Sequence, residues 1–225
     1  MRRVVTPELL DSDAGSPEEI QASLRDLRRI NRWFGGVSTT ASLLLRVAER
    51  TQKRELTVLD VGAGPGEAVL SSRKLLAERG VNVTVSLLDR AATHLPRNGF
   101  PVIVGDALSL PFAANSFDVV TCSLLLHHFE PDAIVTFLRE ALRVCRIAIV
   151  VNDLERASAH LALIYAGLPL FRSQLTRHDS VASIRRAYTE RELKEIFALA
   201  EACEFEVSRH FLFRLGVIAW KAWHV

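Results

Sequence analysis

The stretch TVLDVGAGPGE, Thr57 to Glu67, sets three glycines, Gly62, Gly64 and Gly66, behind an apolar burst that carries the carboxylate Asp60. Glycines this close together let a ligand approach the backbone where a strand gives way to a helix. A triphosphate-binding loop would end in Gly-Lys-Ser/Thr, but Glu67 and Ala68 follow Gly66, and an acid there repels phosphate. The dinucleotide fingerprint G-x-G-x-x-G also matches G-x-G-x-G poorly. Asp60 and Glu67 flank the loop, which suits a ligand presenting cationic groups. Two later bursts also finish in Asp. Asp89 closes VTVSLLD, where it can accept hydrogen bonds from both ribose hydroxyls. Asp106 closes VIVGD, where it can accept from an adenine amino group while small Ala107 leaves room for the ring.

Histidines follow the fourth burst. His127 and His128 stand after FDVVTCSLLL, and a histidine near neutral pH is a fitting base for a phenol or enol. Adjacent residues do not point at one atom on a regular helix or strand, so at most one is expected to face a substrate. The alternative is that both are loop or packing residues. Asn152 and Asp153 close the fifth burst, where they can orient a substrate hydroxyl, or Asp153 can cap the next helix. No carboxylate follows the fourth burst, so a catechol-type metal centre is not expected and no metal is assigned. His178, beside Asp179, is a further candidate for the substrate site. Arg177, Arg185 and Arg186 can pair with an acidic group on the substrate, or stay solvated on the surface.

These residues need elements to hold them. Ser16-Pro17-Glu18-Glu19 is a capping box opening a helix, with Ile20, Leu24, Leu27, Ile30 and Trp33 at helical spacing and Gly35-Gly36 ending it. A second helix is expected over residues 40–50. From residue 56 short apolar bursts alternate with helical stretches over residues 68–79 and 131–144, which predicts a doubly wound, mostly parallel α/β sheet. After Asn152 comes an insertion at 155–187, helical at first and then polar and irregular. Thr189–Glu192 forms another capping box for a helix reaching about Cys203. Two closing strands, with Gly216 between them, should make an antiparallel hairpin at the sheet edge. The organisation is one domain: a helical cap at 1–50, a binding core at 56–152, the insertion, and a closing unit at 189–225.

Composition leaves this reading open and narrows the alternatives. The chain has 225 residues, 49% apolar, with a formal net charge of +2. Such a balance gives no strong pull toward nucleic acid or an anionic membrane. Cys122, Cys145 and Cys203 sit in apolar stretches without metal or redox spacing and are expected to be buried thiols. The longest uncharged apolar run, Leu161 to Phe171, falls short of the ~20 residues of a membrane helix. No membrane span is expected, and a cytoplasmic location is the default.

Taken together, VLDVGAGPGE, LLDR (Leu87–Arg90) and GDALSLPFAANSFDVVTCSLLLHHF resemble the core of class I S-adenosylmethionine-dependent methyltransferases, in their small-molecule, ubiquinone-type branch. The front helices and the stretch from Asn152 to Ile196 also resemble a subgroup among bacterial small-molecule members. The resemblance implies a Rossmann-like, seven-stranded fold and S-adenosylmethionine as cofactor, with S-adenosylhomocysteine as product. It implies that Gly62, Ala63 and Gly64 approach the methionine part and that Asp60 neutralises its ammonium. Asp89 would hold the ribose and Arg90 would lie along the adenine edge. Asp106 and Ala107 would contact the base, and Ser123 and Leu124 would line the sulfonium side. Asn31, Arg32 and Trp33 end the first helix, which is expected to lie over the cofactor as a lid, the alternative being that it simply packs on the sheet. The expected reaction is methyl transfer to an oxygen on a small, largely apolar acceptor of aromatic, polyketide-like or quinone-like character. The rivals are a nucleic-acid or protein methyltransferase, and an NAD(P)-dependent oxidoreductase on a similar fold. SLLLHHF lacks the Asn/Asp-Pro-Pro-aromatic stretch of base-amino methyltransferases, and no basic stripe with interleaved aromatics occurs.

Overall fold

The apolar bursts pair into one seven-stranded sheet of order β3-β2-β1-β4-β5-β7-β6 in a computed structural model describing residues 1–96, 99–200 and 204–222. The strands are β1 Glu55–Val61, β2 Asn82–Asp89, β3 Val102–Val104, β4 Phe117–Ser123, β5 Cys145–Leu154, β6 Phe205–His210 and β7 Arg214–Trp220. β1 to β5 run parallel, and β7 enters antiparallel between β5 and β6. Parallel strands need covered faces, and the near-continuous burial of β1, β4 and β5 supplies them. The strand order reverses between β1 and β4, so a crevice opens beyond their carboxyl ends.

Two apolar layers hold the sheet. On one face, Phe137, Leu138 and Ala141 of α4 (Pro131–Val144) pack on Val120, Cys122 and Ile149 with α7 (Glu190–Leu199). On the other, Leu43, Leu44 and Val47 of α2 (Gly36–Thr51) and Val69 and Leu76 of α3 (Glu67–Ala77) cover Val58, Val85 and Ile218. Both predicted capping boxes form, Ser16 with Glu19 at α1 (Pro17–Trp33) and Thr189 with Glu192 at α7. Each such cap is worth about 1 kcal/mol.

The structure departs from the sequence reading in three places. Gly216 lies inside β7 and not in the turn, because a Cβ there would come within 2.7 Å of His210 Nε2 on the neighbouring strand. The polar stretch taken as irregular is α6 (Gln174–Arg186), capped by the Ser173 hydroxyl on Leu175 N–H. Its helical face is polar as well as apolar because it holds the amino-terminal segment by hydrogen bonds, so the apolar period is faint. The second helix starts at Gly36 rather than Thr40. Cys122 and Cys145 are fully buried, whereas Cys203 and the end of the helix expected to reach it lie outside the described residues. Between β5 and α6 runs α5 (Ser158–Gly167), apolar on all sides, and a 3₁₀ turn at Leu168–Leu170.

Candidate active site

A cavity of about 810 Å³ opens where the strand order reverses, roofed by α1, α5, α6 and the amino-terminal segment. Its two ends differ in construction.

One end is the glycine loop with the ends of β1 to β4. Gly62 has φ +64°, and a Cβ there would meet Leu125 Cδ1 at 2.6 Å, so a side chain would strain the backbone and have to displace Leu125. Gly62, Ala63 and Gly64 face the cavity, with Asp60 beneath them. Asp60 is 2% exposed, and its Oδ1 finds no hydrogen-bond partner among the described residues. Burial, with the nearby Asp89 charge, pushes its carboxyl up to about 8. An orphaned buried acid facing a cavity is what a cationic ligand group would satisfy. Asp89 holds the loop in shape: Oδ2 accepts from Gly64 N–H at 2.7 Å and Oδ1 from Ala91 N–H at 2.9 Å. Each oxygen keeps a lone pair for a ligand hydroxyl. Arg90, Asp106 and Ala107 line the same end, and Asp106 Oδ1 accepts from Leu108 N–H at 2.9 Å. Ser123 and Leu124 border it from β4. Leu124 takes φ +57°, fixed by donating its N–H to the Asn152 carbonyl at 2.9 Å; such strain collects where a ligand must be met.

The other end is assembled from distant segments. A 3₁₀ turn, Leu126–His128, presents both histidines to the cavity. His127 is 2% exposed, with Nδ1 2.6 Å from Asp153 Oδ1 and Nε2 3.4 Å from Glu8 Oε1. His128 Nε2 lies 3.8 Å from the same Glu8 oxygen, and its Nδ1 is 2.9 Å from Asp11 Oδ2. Both rings thus meet one carboxylate, although adjacent side chains diverge on a regular helix or strand. A tight turn brings adjacent side chains together as a regular helix or strand does not, and the ring centroids stand 4.3 Å apart. Burial alone favours neutral His127, but the charge and hydrogen bond of Asp153, joined by Glu8, outweigh it and push its pKa up to about 10. The same contacts hold Asp153 and Glu8 below the usual carboxylate range, against burial that would raise them.

Three sequence candidates sit elsewhere. Asp153 does not line the cavity; it orients His127 from behind and does not cap α5. Asn152 is fully buried and outside the lining. Its Nδ2 donates to the Gly36 carbonyl at 2.8 Å and Thr40 Oγ1 at 2.9 Å, fastening α2 to the sheet. His178 is exposed on α6, its Nδ1 2.8 Å from Asp179, and also stands outside the cavity. Arg186, expected either to pair with an acidic group on the substrate or to stay solvated, lines the cavity and donates to the His128 carbonyl, with Asp11 3.8 Å away. Trp33 stands at the rim, and Asn31 lines the wall nearby.

Residues the sequence did not single out complete this end. Glu8 accepts from the Ser183 hydroxyl at 2.8 Å, and the Leu9 and Leu10 N–H groups donate to Asp179 at 2.8 and 3.0 Å. Asp179 therefore pins the strap that delivers Glu8 and Asp11. Arg214 is 1% exposed and donates to the Phe34 carbonyl, Asn152 Oδ1 and Asn31 Oδ1. Burial lowers its pKa to about 10, with the Asp153 charge opposing that. The signals were faint: one acid in an amino-terminal stretch and one arginine in a strand have no spacing to betray them.

Comparison with known proteins agrees with the core. Residues 59–148 match a protein-family model described as a methyltransferase domain. The methyltransferase domain is similar to an uncharacterized methyltransferase, YcgJ, of Bacillus subtilis, 33% identical over 108 residues, covering 46% of this chain and 41% of that protein. It is also similar to a demethylmenaquinone methyltransferase of a Roseiflexus species, 31% identical over 112 residues, covering 48% of this chain and 46% of the relative. The chain spans less than half the length of either. Among solved structures, the plantazolicin methyltransferase BpumL, crystallised with a monoazolic desmethylPZN analog and SAH, aligns with a TM-score of 0.70 at 15% identity over 95% of this chain and 92% of that one. Human N-acetylserotonin methyltransferase with SAM aligns at 0.61 and 15% identity, covering 90% of this chain and 56% of that chain. At that identity the likeness is one of fold: the chain has the Rossmann-like, seven-stranded architecture. No described helix is long and apolar enough to cross a membrane.

Proposed function

We propose that the protein transfers a methyl group from S-adenosylmethionine to an oxygen of a small, largely apolar acceptor with aromatic, polyketide-like or quinone-like character. The observation that carries this is one cavity with a glycine loop and orphaned Asp60 at one end and the Glu8–His127–Asp153 chain at the other. The first end fits the cofactor: Asp60 faces the ammonium, Asp89 the ribose hydroxyls, and Asp106 and Ala107 the adenine. Bound there, S-adenosylmethionine supplies a methyl on a sulfonium, already activated for displacement. Between the ends, Leu24, Leu27, Ile30 and Phe34 of the α1 region face Ile164 and Phe171, an apolar slot for a ring or chain.

The residues at the far end then have distinct roles. His127, holding protons on both nitrogens, is not itself the base. An acceptor hydroxyl entering beside it gives its proton to Glu8, and the charge developing on oxygen meets the imidazolium, which Asp153 keeps in place. With the cofactor held at the other end, methylation of that oxygen would give a methyl ether and S-adenosylhomocysteine, with the proton left on Glu8. Alignment within the slot supplies much of the remaining acceleration.

Binding and turnover test this separately. Calorimetry should register S-adenosylmethionine and S-adenosylhomocysteine but not NAD, because only a true ligand stabilises the native state. A panel of phenols and quinols should show turnover, with product analysed for an O-methyl group. No heat from either adenosyl compound would overturn the cofactor assignment. Turnover only on nucleic acid, protein or amine acceptors would overturn the acceptor.

A further inference from the structure

Large apolar side chains stand in water around the mouth of the cavity. Leu170 is 74% exposed, Trp33 69% and Phe211 66%, with Leu163 and Tyr165 also open to solvent. They come from elements far apart in sequence that meet here: the end of α1, the turn between β6 and β7, α5, and the 3₁₀ turn after it. The Phe211 carbonyl lies 2.9 Å from where a Cβ on Gly35 would stand, beside Trp33. Phe213 of the same turn stacks on His160 of α5, with ring centroids 5.0 Å apart. Trp33, Leu163, Leu170 and Leu212 all border the opening. The exposed apolar groups therefore form a crest around the entrance and are not isolated residues, which would need no explanation.

The unpaired charges on the two helices beside this crest are arginines. From Ser158 to Phe171 no side chain carries a formal charge except through His160, and burial keeps His160 neutral. Arg25, Arg28 and Arg32 recur along the exposed side of α1, and Arg172 follows the 3₁₀ turn; none forms an ion pair among the described residues. The acids of α1 do not oppose them. Glu18 and Glu19 sit in its first turn, away from Trp33, and Asp26 is buried, accepting from the Arg172 and Ser173 N–H groups at 2.8 and 3.0 Å. A second copy meeting this face about a two-fold axis would set arginine against arginine. A layer of lipid phosphates over acyl chains complements both features: guanidinium groups meet the phosphates, while indole, phenol and leucine tips enter the interface.

We propose that the rim of the cavity docks on an anionic lipid bilayer, with the entrance facing the membrane. This rests on the surface alone and is read by binding, so it stands or falls apart from the methyl-transfer reading. The experiment is flotation of the full chain with vesicles of phosphatidylcholine alone and of phosphatidylcholine with about one-third phosphatidylglycerol. Binding to the anionic vesicles should exceed that to the neutral ones by about ten-fold or more, and should weaken as salt rises from ~0.1 M to ~0.5 M. Leu170→Asp with Phe211→Asp, and separately Arg28→Glu with Arg32→Glu, should each lower it about ten-fold while leaving the melting temperature within a few degrees. Equal binding by these variants, or no flotation with either vesicle, would overturn the proposal. So would a concentration-dependent dimer that the Leu170→Asp, Phe211→Asp variant abolishes, which would give the crest to a second copy.

Discussion

The two ends of the cavity do comparable work by different means. At the glycine-loop end, Asp60, Asp89 and Asp106 each sit at a strand terminus, and the loop folds back on its own neighbour strand through Gly64 N–H to Asp89. At the histidine end, Glu8, His127, Asp153, Ser183 and Arg186 come from segments separated by most of the chain. The first end is therefore as rigid as the sheet that carries it. The second exists only when the amino-terminal strap lies against α6. A ligand site fixed by the sheet has been paired with one that the amino-terminal strap completes, so ligand binding and chemistry should be separable by mutation.

The largest effect expected tests that separation at the histidine end. His127→Ala removes the imidazolium and strands Glu8 and Asp153, and should lower kcat by ~10²–10⁴-fold. The dissociation constant for S-adenosylhomocysteine should stay within about two-fold of the parent. A matching collapse of cofactor affinity, measured by calorimetry, would show that the two ends are one coupled unit and would break the comparison.

Next in size is Asp89→Ala. It removes the acceptor for Gly64 N–H and Ala91 N–H and, in the proposed complex, for the ribose. Losing charged hydrogen bonds of this kind costs about 1.5–3 kcal/mol each, so affinity for S-adenosylhomocysteine should fall by ~10²-fold or more. Turnover at saturating cofactor should change far less. A variant that binds normally would mean that Asp89 shapes nothing a ligand uses.

Why one end was legible in the sequence and the other was not follows from the same contrast. Asp60, Asp89 and Asp106 announce themselves because strand ends recur with a fixed polarity, and the glycine spacing has few physical uses. The sheet was legible for a related reason: strands buried on both faces read as unbroken apolar bursts. Glu8 and Arg214 have no such regularity, since their meaning comes from contacts with residues 62 to 183 positions away. α6 was missed because Asp179 and Ser183 spend its buried face on polar bonds to the strap, which erases the apolar period. Asn152 misled for the opposite reason. It occupies a strand end, the address of ligand-binding residues, but its side chain turns toward α2.

Asp60 sharpens the comparison through pH. Its folded-state pKa near 8 lies above the ordinary 3.8, so the folded chain keeps a proton that the unfolded chain has released. Stability from this group is full below about pH 4, declines as pH rises toward 8, and then levels off. Asp60→Asn should remove that decline. The ligand-free variant should gain a few kcal/mol over the parent at pH 9 relative to pH 4, by denaturant titration at both pH values. It should bind S-adenosylmethionine about ten-fold more weakly, having lost the charge that faces the ammonium. Gaining stability while losing affinity would mark Asp60 as a residue kept for the ligand. If the pH dependence of stability is the same in parent and variant, the carboxyl is not held neutral in the empty site.

The smallest effect on activity is expected at Asn152, where a strand-end address and a structural role have to be told apart. Its amide group bridges three elements: Nδ2 to Gly36 and Thr40 of α2, and Oδ1 to the Arg214 guanidinium at 3.4 Å. Asn152→Ala leaves a buried carbonyl, hydroxyl and cation short of partners, at a cost of about 2–4 kcal/mol in stability. Below its lowered melting temperature, the variant should keep its KM for the acceptor within about three-fold, since Asn152 does not face the cavity. A KM that rises ten-fold with stability unchanged would put Asn152 on the substrate. The histidine end would then draw on the strand termini just as the glycine-loop end does, and the contrast between the two would lose its basis.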